Sequence, residues 1–94
     1  MQTYIMLGRL TSQAKTSPAE SMHARDELFH EFEKKGVKVK VYHTMGPFDV
    51  VNIVDAPSED VMMRFLMAVG AQGNLDSVTL RAFTQEEGDR FRTG

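Results

Sequence analysis

Val37-Lys38-Val39-Lys40-Val41-Tyr42-His43-Thr44-Met45-Gly46-Pro47-Phe48-Asp49-Val50-Val51-Asn52-Ile53-Val54 contains two strands separated by a turn. Val37 to Val41 alternate apolar and cationic residues, the period-2 signature of a strand with one buried face, and lysines on the other face protect a sheet edge from further pairing. Gly46-Pro47 is turn chemistry. Phe48 to Val54 form a strand apolar on both faces, so the two strands make a hairpin. With Gly46-Pro47 as a two-residue turn, Met45 faces Phe48, Thr44 faces Asp49 and His43 faces Val50, since the turn sets the register.

On each side of the hairpin lies a helix, and beyond each helix another strand. Thr3 to Leu10 carry the apolar run Tyr4-Ile5-Met6-Leu7, which suits a central strand. Thr11 to Thr16 read as a loop. Ser17-Pro18-Ala19-Glu20 opens a helix with an N-cap, a proline at the first position and a glutamate completing a capping box. Met22, Leu28, Phe29 and Phe32 recur at helical spacing, and Lys34-Lys35-Gly36 ends the helix near Lys35. Ser58 caps a second helix that runs to about Val69, before the break at Gly70-Ala71-Gln72-Gly73. Asn74 to Phe83 form the last strand, and Thr84-Gln85-Glu86-Glu87 begins a short terminal helix. The order β-α-β-β-α-β predicts an α+β, ferredoxin-like fold, with one antiparallel sheet and helices on one face. The opposite face, carrying Val51 and Ile53, is left bare, and a partner sheet is its natural cover.

The chain of 94 residues reads as a single domain, residues 1–94. A domain this short buries only about 60% of its unfolded surface, which makes self-association a natural source of stability. No cysteine is present, so disulfides, thiolate metal sites and cysteine nucleophiles are excluded. A net charge of −2 gives no electrostatic basis for nucleic acid as the main partner. Lys34, Lys35, Lys38 and Lys40 read as a solvated edge. No apolar run approaches the roughly 18 residues of a membrane span, and the opening residues lack the pattern of a secretion signal. A cytoplasmic protein without membrane partners is expected.

Thr44-Met45-Gly46-Pro47-Phe48-Asp49-Val50-Val51 resembles the Gly-Tyr-Asp element that names the GYD domain family. Thr3-Tyr4-Ile5, Thr11 with Gln13, Ser17-Pro18, Gly73-Asn74 and Thr79-Leu80-Arg81-Ala82-Phe83-Thr84 are similar to that family's other elements and follow in its order. The family resembles the dimeric α/β barrel superfamily, in which two ferredoxin-like sheets close into one barrel. The resemblance therefore implies a homodimer or higher homo-oligomer. Phe48 replaces the motif tyrosine, so no phenolic hydroxyl is available there, and Ala14 stands where the family tends to have glycine.

His43 shares a face with Val39, Val41, Met45 and Phe48. On the helix-covered side this sets an imidazole at the rim of an apolar pocket, as a general base or as a histidine with a purely structural hydrogen bond. Asp49, on the other face with Thr44, is fitted to fix the hairpin, to pair with Arg81 across a subunit interface or to act as a base. Tyr4, Phe48, Met62 and Arg81 are candidate ligand-binding residues, with Met62, Met63 and Met67 making the second helix apolar around most of its circumference. His23, Glu27 and His30 share a helix stripe, but the histidines lie about 10.5 Å apart along the axis. They read as a solvated face, and no metal or cofactor is expected.

Three function classes follow. A binding or regulatory module holding a small apolar molecule needs a cavity, a cofactor-independent monooxygenase or isomerase needs His43 and a second polar group on one cavity, and a structural oligomer needs no cavity.

Overall fold

The computed structural model describes residues 1–94. The elements are β1 (Gln2–Leu10), α1 (Ser12–Thr16), α2 (Pro18–Glu33), β2 (Lys38–His43), β3 (Val50–Ala56), α3 (Glu59–Gln72), β4 (Leu75–Ala82) and α4 (Gln85–Thr93). The sheet order is β2-β3-β1-β4, with every neighbouring pair antiparallel. This is the ferredoxin-like arrangement. The lysine-bearing β2 lies at an edge and β1 lies inside the sheet, as their patterns require.

The hairpin register places His43 opposite Val50, and the Thr44 amide donates to the Asp49 carbonyl at 2.9 Å. The tip departs from the predicted turn. The ladder stops at Val50, Met45 is 99% exposed, and the Thr44 hydroxyl donates to the Phe48 carbonyl at 2.7 Å. Met45 and Phe48 therefore do not extend the face that carries His43.

A second departure is α1, where the sequence reads as loop. Thr11 caps this turn of helix by accepting from the Ala14 amide at 3.3 Å, and Ala14 is buried beneath it. In polar sequence this short, only the burial of Ala14 distinguishes a helical turn from a loop. A third is the length of α3, which passes through Gly70 and ends at Gly73, whose φ of 70° makes it the left-handed cap. Only one of the two glycines has the backbone that stops a helix.

Burial alternates along the inner strands. Tyr4, Met6 and Gly8 of β1 and Val50, Asn52, Val54 and Ala56 of β3 turn to the helices. Of these, Tyr4, Met6, Val54 and Ala56 form one core with Phe32 of α2 and Met62, Phe65 and Val69 of α3. Phe65 is the centre of this core, with Phe29 at 5.6 Å and Phe32 edge-on at 5.3 Å between ring centroids. The opposite face carries no helix. Ile5 and Leu7, Val51 and Ile53, and Val78 and Leu80 form an apolar field there, bordered by Tyr42, Lys38, Lys40 and Asp55. Val78 and Leu80 are 54% and 46% exposed.

The terminal helix α4 is held by a complete capping box between Thr84 and Glu87. Hydrogen bonds from the Thr84 backbone and side chain hold the Glu87 carboxyl below its ordinary range. Phe91 packs edge-on against Phe83 at 5.2 Å. No helix is long and apolar enough to cross a membrane.

Candidate functional site

A cavity of about 140 Å³ lies under α2 at the end of the sheet that carries His43. Its roof follows from helical spacing, because Pro18, Ser21, Met22, Arg25 and Phe29 recur at i, i+3, i+4, i+7 and i+11 and share one stripe of α2. Val50 and Asn52 of β3 form the floor, with His43 at the end of β2 and Leu10 at the end of β1. Ala14, Val69 and Leu75 complete an apolar wall. Gly8 shapes that wall: a Cβ at this position would lie 2.6 Å from Leu75 Cδ1, so glycine leaves the room that the leucine fills.

Polar groups enter the lining from several elements. Asn52 is only 4% exposed, and its Oδ1 has no hydrogen-bond partner. Arg25 donates through Nε to the Asp26 carboxylate at 3.0 Å. Gln72 donates to the Ala24 carbonyl at 3.0 Å, joining α3 to α2. Asn74 accepts from Gln13 Nε2 at 3.0 Å, while the Thr11 hydroxyl donates to the Gly73 carbonyl at 2.7 Å. Thr11, Gln13 and Gly73-Asn74 thus close on one another and pin α1 to the connection between α3 and β4. Their distance in sequence hides this contact, which two strand registers and a helix length create.

Of the residues singled out in the sequence, His43 lines the cavity, on its exposed rim. The others lie elsewhere. Tyr4 and Met62 belong to the core, where the Tyr4 hydroxyl donates to Gln2 Oε1 at 2.6 Å. Phe48 lies under the Arg9 guanidinium, 5.0 Å from its ring centroid, and Arg9 Nε donates to the Pro47 carbonyl. Arg81 stacks over Phe83 at 4.3 Å and Tyr4 at 5.4 Å and donates to the Thr3 carbonyl. Asp49 accepts from the Leu10 amide at 2.9 Å, and its own amide donates to the Gly8 carbonyl. Asp49 and Arg81 therefore stand at opposite ends of β1 within one chain. On α2, His23 and Glu27 pair at 3.0 Å on a largely exposed face, and no three His, Cys, Asp or Glu side chains gather as a metal site would require.

The Asp49 contact extends the hairpin beyond its ladder and fixes the end of β1. Asp49→Ala is expected to cost about 1 kcal/mol, as for one charge-assisted hydrogen bond at an exposed site. Urea denaturation measures the loss, and hydrogen exchange at the Leu10 amide should accelerate with it. Unchanged exchange at Leu10 would remove Asp49 from this role.

Asn52, like Ser21 and Arg25, is a residue of the lining that sequence reading passes over. It interrupts an otherwise apolar run between Val51 and Ile53, and its parity matches Val50 and Val54, which face the helices. An amide on the buried parity of an inner strand is the signal that marks it.

The GYD domain family model matches residues 4–91. A protein of Thermus thermophilus named glutamine synthetase and cystathionine beta-lyase binding protein is 30% identical over 84 residues, 87% of this chain and 88% of that protein. The crystal structure of MtbAldR is similar with a TM-score of 0.62 and 14% identity over 89% of this chain, a likeness of fold. The matched region is 52% of that second chain, so this chain spans about half its length.

Proposed function

The chain belongs to the GYD domain family, and from that premise we propose that it is a cytoplasmic binding module, in which two copies pair sheet to sheet and each holds a small molecule in its cavity. The observation that carries this reading is the chemistry of the lining. Apolar wall and neutral amides predominate, and the 14 lining residues include no Asp, Glu, Cys, Lys or Tyr. Such a site can hold a ligand by shape and hydrogen bonds, but it offers little acid-base machinery. The bare apolar field of the sheet supports pairing of two copies, because an antiparallel sheet of this size exposes so wide an apolar face only where something covers it. The Thermus relative's name supports a protein partner as well, and glutamine synthetase and cystathionine beta-lyase are the first enzymes to test.

Native mass spectrometry of the gently purified chain, followed by co-elution with each purified enzyme, tests the reading. A dimer or higher oligomer that carries an added small mass and co-elutes with at least one enzyme is the expected result. A monomer that retains no molecule and elutes apart from both would overturn it.

A second reading is favoured by one observation, that the His43 imidazole shares its cavity with Asn52 and Arg25. In a cofactor-independent monooxygenase or isomerase, His43 would take a proton from an apolar substrate beside the Asn52 amide. Under that reading His43→Ala abolishes turnover and leaves assembly intact. Under the binding reading the same variant still takes up the retained molecule.

A further inference from the structure

Asn52 is buried in the cavity floor and its Oδ1 has no hydrogen bond, the least explained feature of the interior. Leaving a buried amide unpaired is costly, and native interiors rarely do so without a purpose. The surrounding strand does not require it, since Val50 and Val54 occupy the equivalent inward positions on either side.

The geometry points to a ligand that completes this amide: a neutral, compact, apolar molecule with one hydroxyl group, seated with the hydroxyl on Asn52 and its body against Phe29, Val50, Val69 and Leu75. This assignment deepens the binding-module reading and rests on it. Size sets the first limit. An apolar cavity of about 150 Å³ holds one benzene, so a space of about 140 Å³ suits a body of roughly six to eight non-hydrogen atoms. Charge sets the second. Arg25 of the lining already donates through Nε to Asp26 at 3.0 Å, and no carboxylate lines the cavity to hold a cation, so a neutral molecule fits. The amide sets the third. Rotation about its terminal torsion presents either the oxygen or the NH2 group, and a hydroxyl, which both donates and accepts, satisfies either orientation.

The test uses phenol as the hydroxyl probe and benzene as the body alone, titrated into the full chain and followed by amide NMR. Asn52→Val removes the hydrogen-bonding group, and Asn52→Leu provides a second variant closer in shape should the first fail to fold. Phenol is expected to bind the unaltered chain about tenfold more tightly than either variant, the worth of one hydrogen bond, while benzene, which leaves the amide unpaired, binds the variants at least as tightly as the unaltered chain. The ligand-free variants should also melt at a higher temperature, because the unpaired amide is gone. Equal phenol affinity in the unaltered chain and the variants, with benzene still bound, would overturn the assignment of Asn52 and leave the cavity as a binding site. If neither probe binds the unaltered chain, the ligand assignment and the binding role of the cavity fall together.

Discussion

Phe65→Ala is expected to cost about 3–5 kcal/mol of folding stability, the range for deleting a fully buried phenyl ring. The side chain is inaccessible to solvent and holds the aromatic contacts with Phe29 and Phe32 that join α3 to α2. Its removal leaves a void at the one place where both helices and the sheet meet. Small domains have only about 5–15 kcal/mol in total, so the variant should be largely unfolded under mild denaturant. Urea titration at a fixed protein concentration measures this, because assembly would raise the apparent stability of both forms. A loss below about 1 kcal/mol would mean that the core repacks around the void and that Phe65 is not its centre. Phe65→Leu, which keeps most of the volume, should lose much less.

If two copies pair through the bare sheet face as proposed, Ile53→Lys is expected to give folded monomers. Ile53 lies opposite Ile5 on the helix-free face and is bordered by Lys40 on β2. In a single chain the residue is half-buried, and a lysine can extend its ammonium group into water. Under a second sheet that route closes, and an unpaired buried charge costs about 3–5 kcal/mol. That penalty weakens dimerisation more than about a hundredfold. Native mass spectrometry combined with circular dichroism separates the outcomes. A folded monomer is expected, and an oligomer that survives the change would place the interface on another face. Leu80→Lys on β4, which stands opposite Ile5 from the other side, should act in the same direction.

The two variants probe opposite faces of one sheet, and the faces differ in how far sequence reading reaches them. The lysine alternation of Val37 to Val41 identifies the edge strand without tertiary information, because a sheet edge and a cationic outer face are local matters. Val51 and Ile53 are likewise placed on the bare side by strand parity, and the register from His43 to Val50 follows from the turn. The tip is less legible. Met45 and Phe48 follow the strand only if the turn is tight, and the hydroxyl of Thr44 together with the carboxylate of Asp49 bind other backbone groups and loosen it. Tyr4 and Met62 stand among the candidate ligand contacts in the sequence, yet packing places both in the core.

By itself, the sequence determined the order of the main strands and helices, the edge strand and the helix-free apolar face, while the facing of His43 was left to the structure. Each depends on periodicity, caps or turn residues, which act over a few positions. Tertiary structure decided the cavity, the exclusion of Phe48 and Arg81 from it, the helical turn over Ala14 and the closure of Thr11 and Gln13 on Gly73-Asn74. These depend on how far α3 extends and where α2 lies across the sheet, and no local pattern contains those distances. Asn52 stands between the two: its inward parity is written in the strand, but the missing hydrogen bond exists only once the core has closed around it.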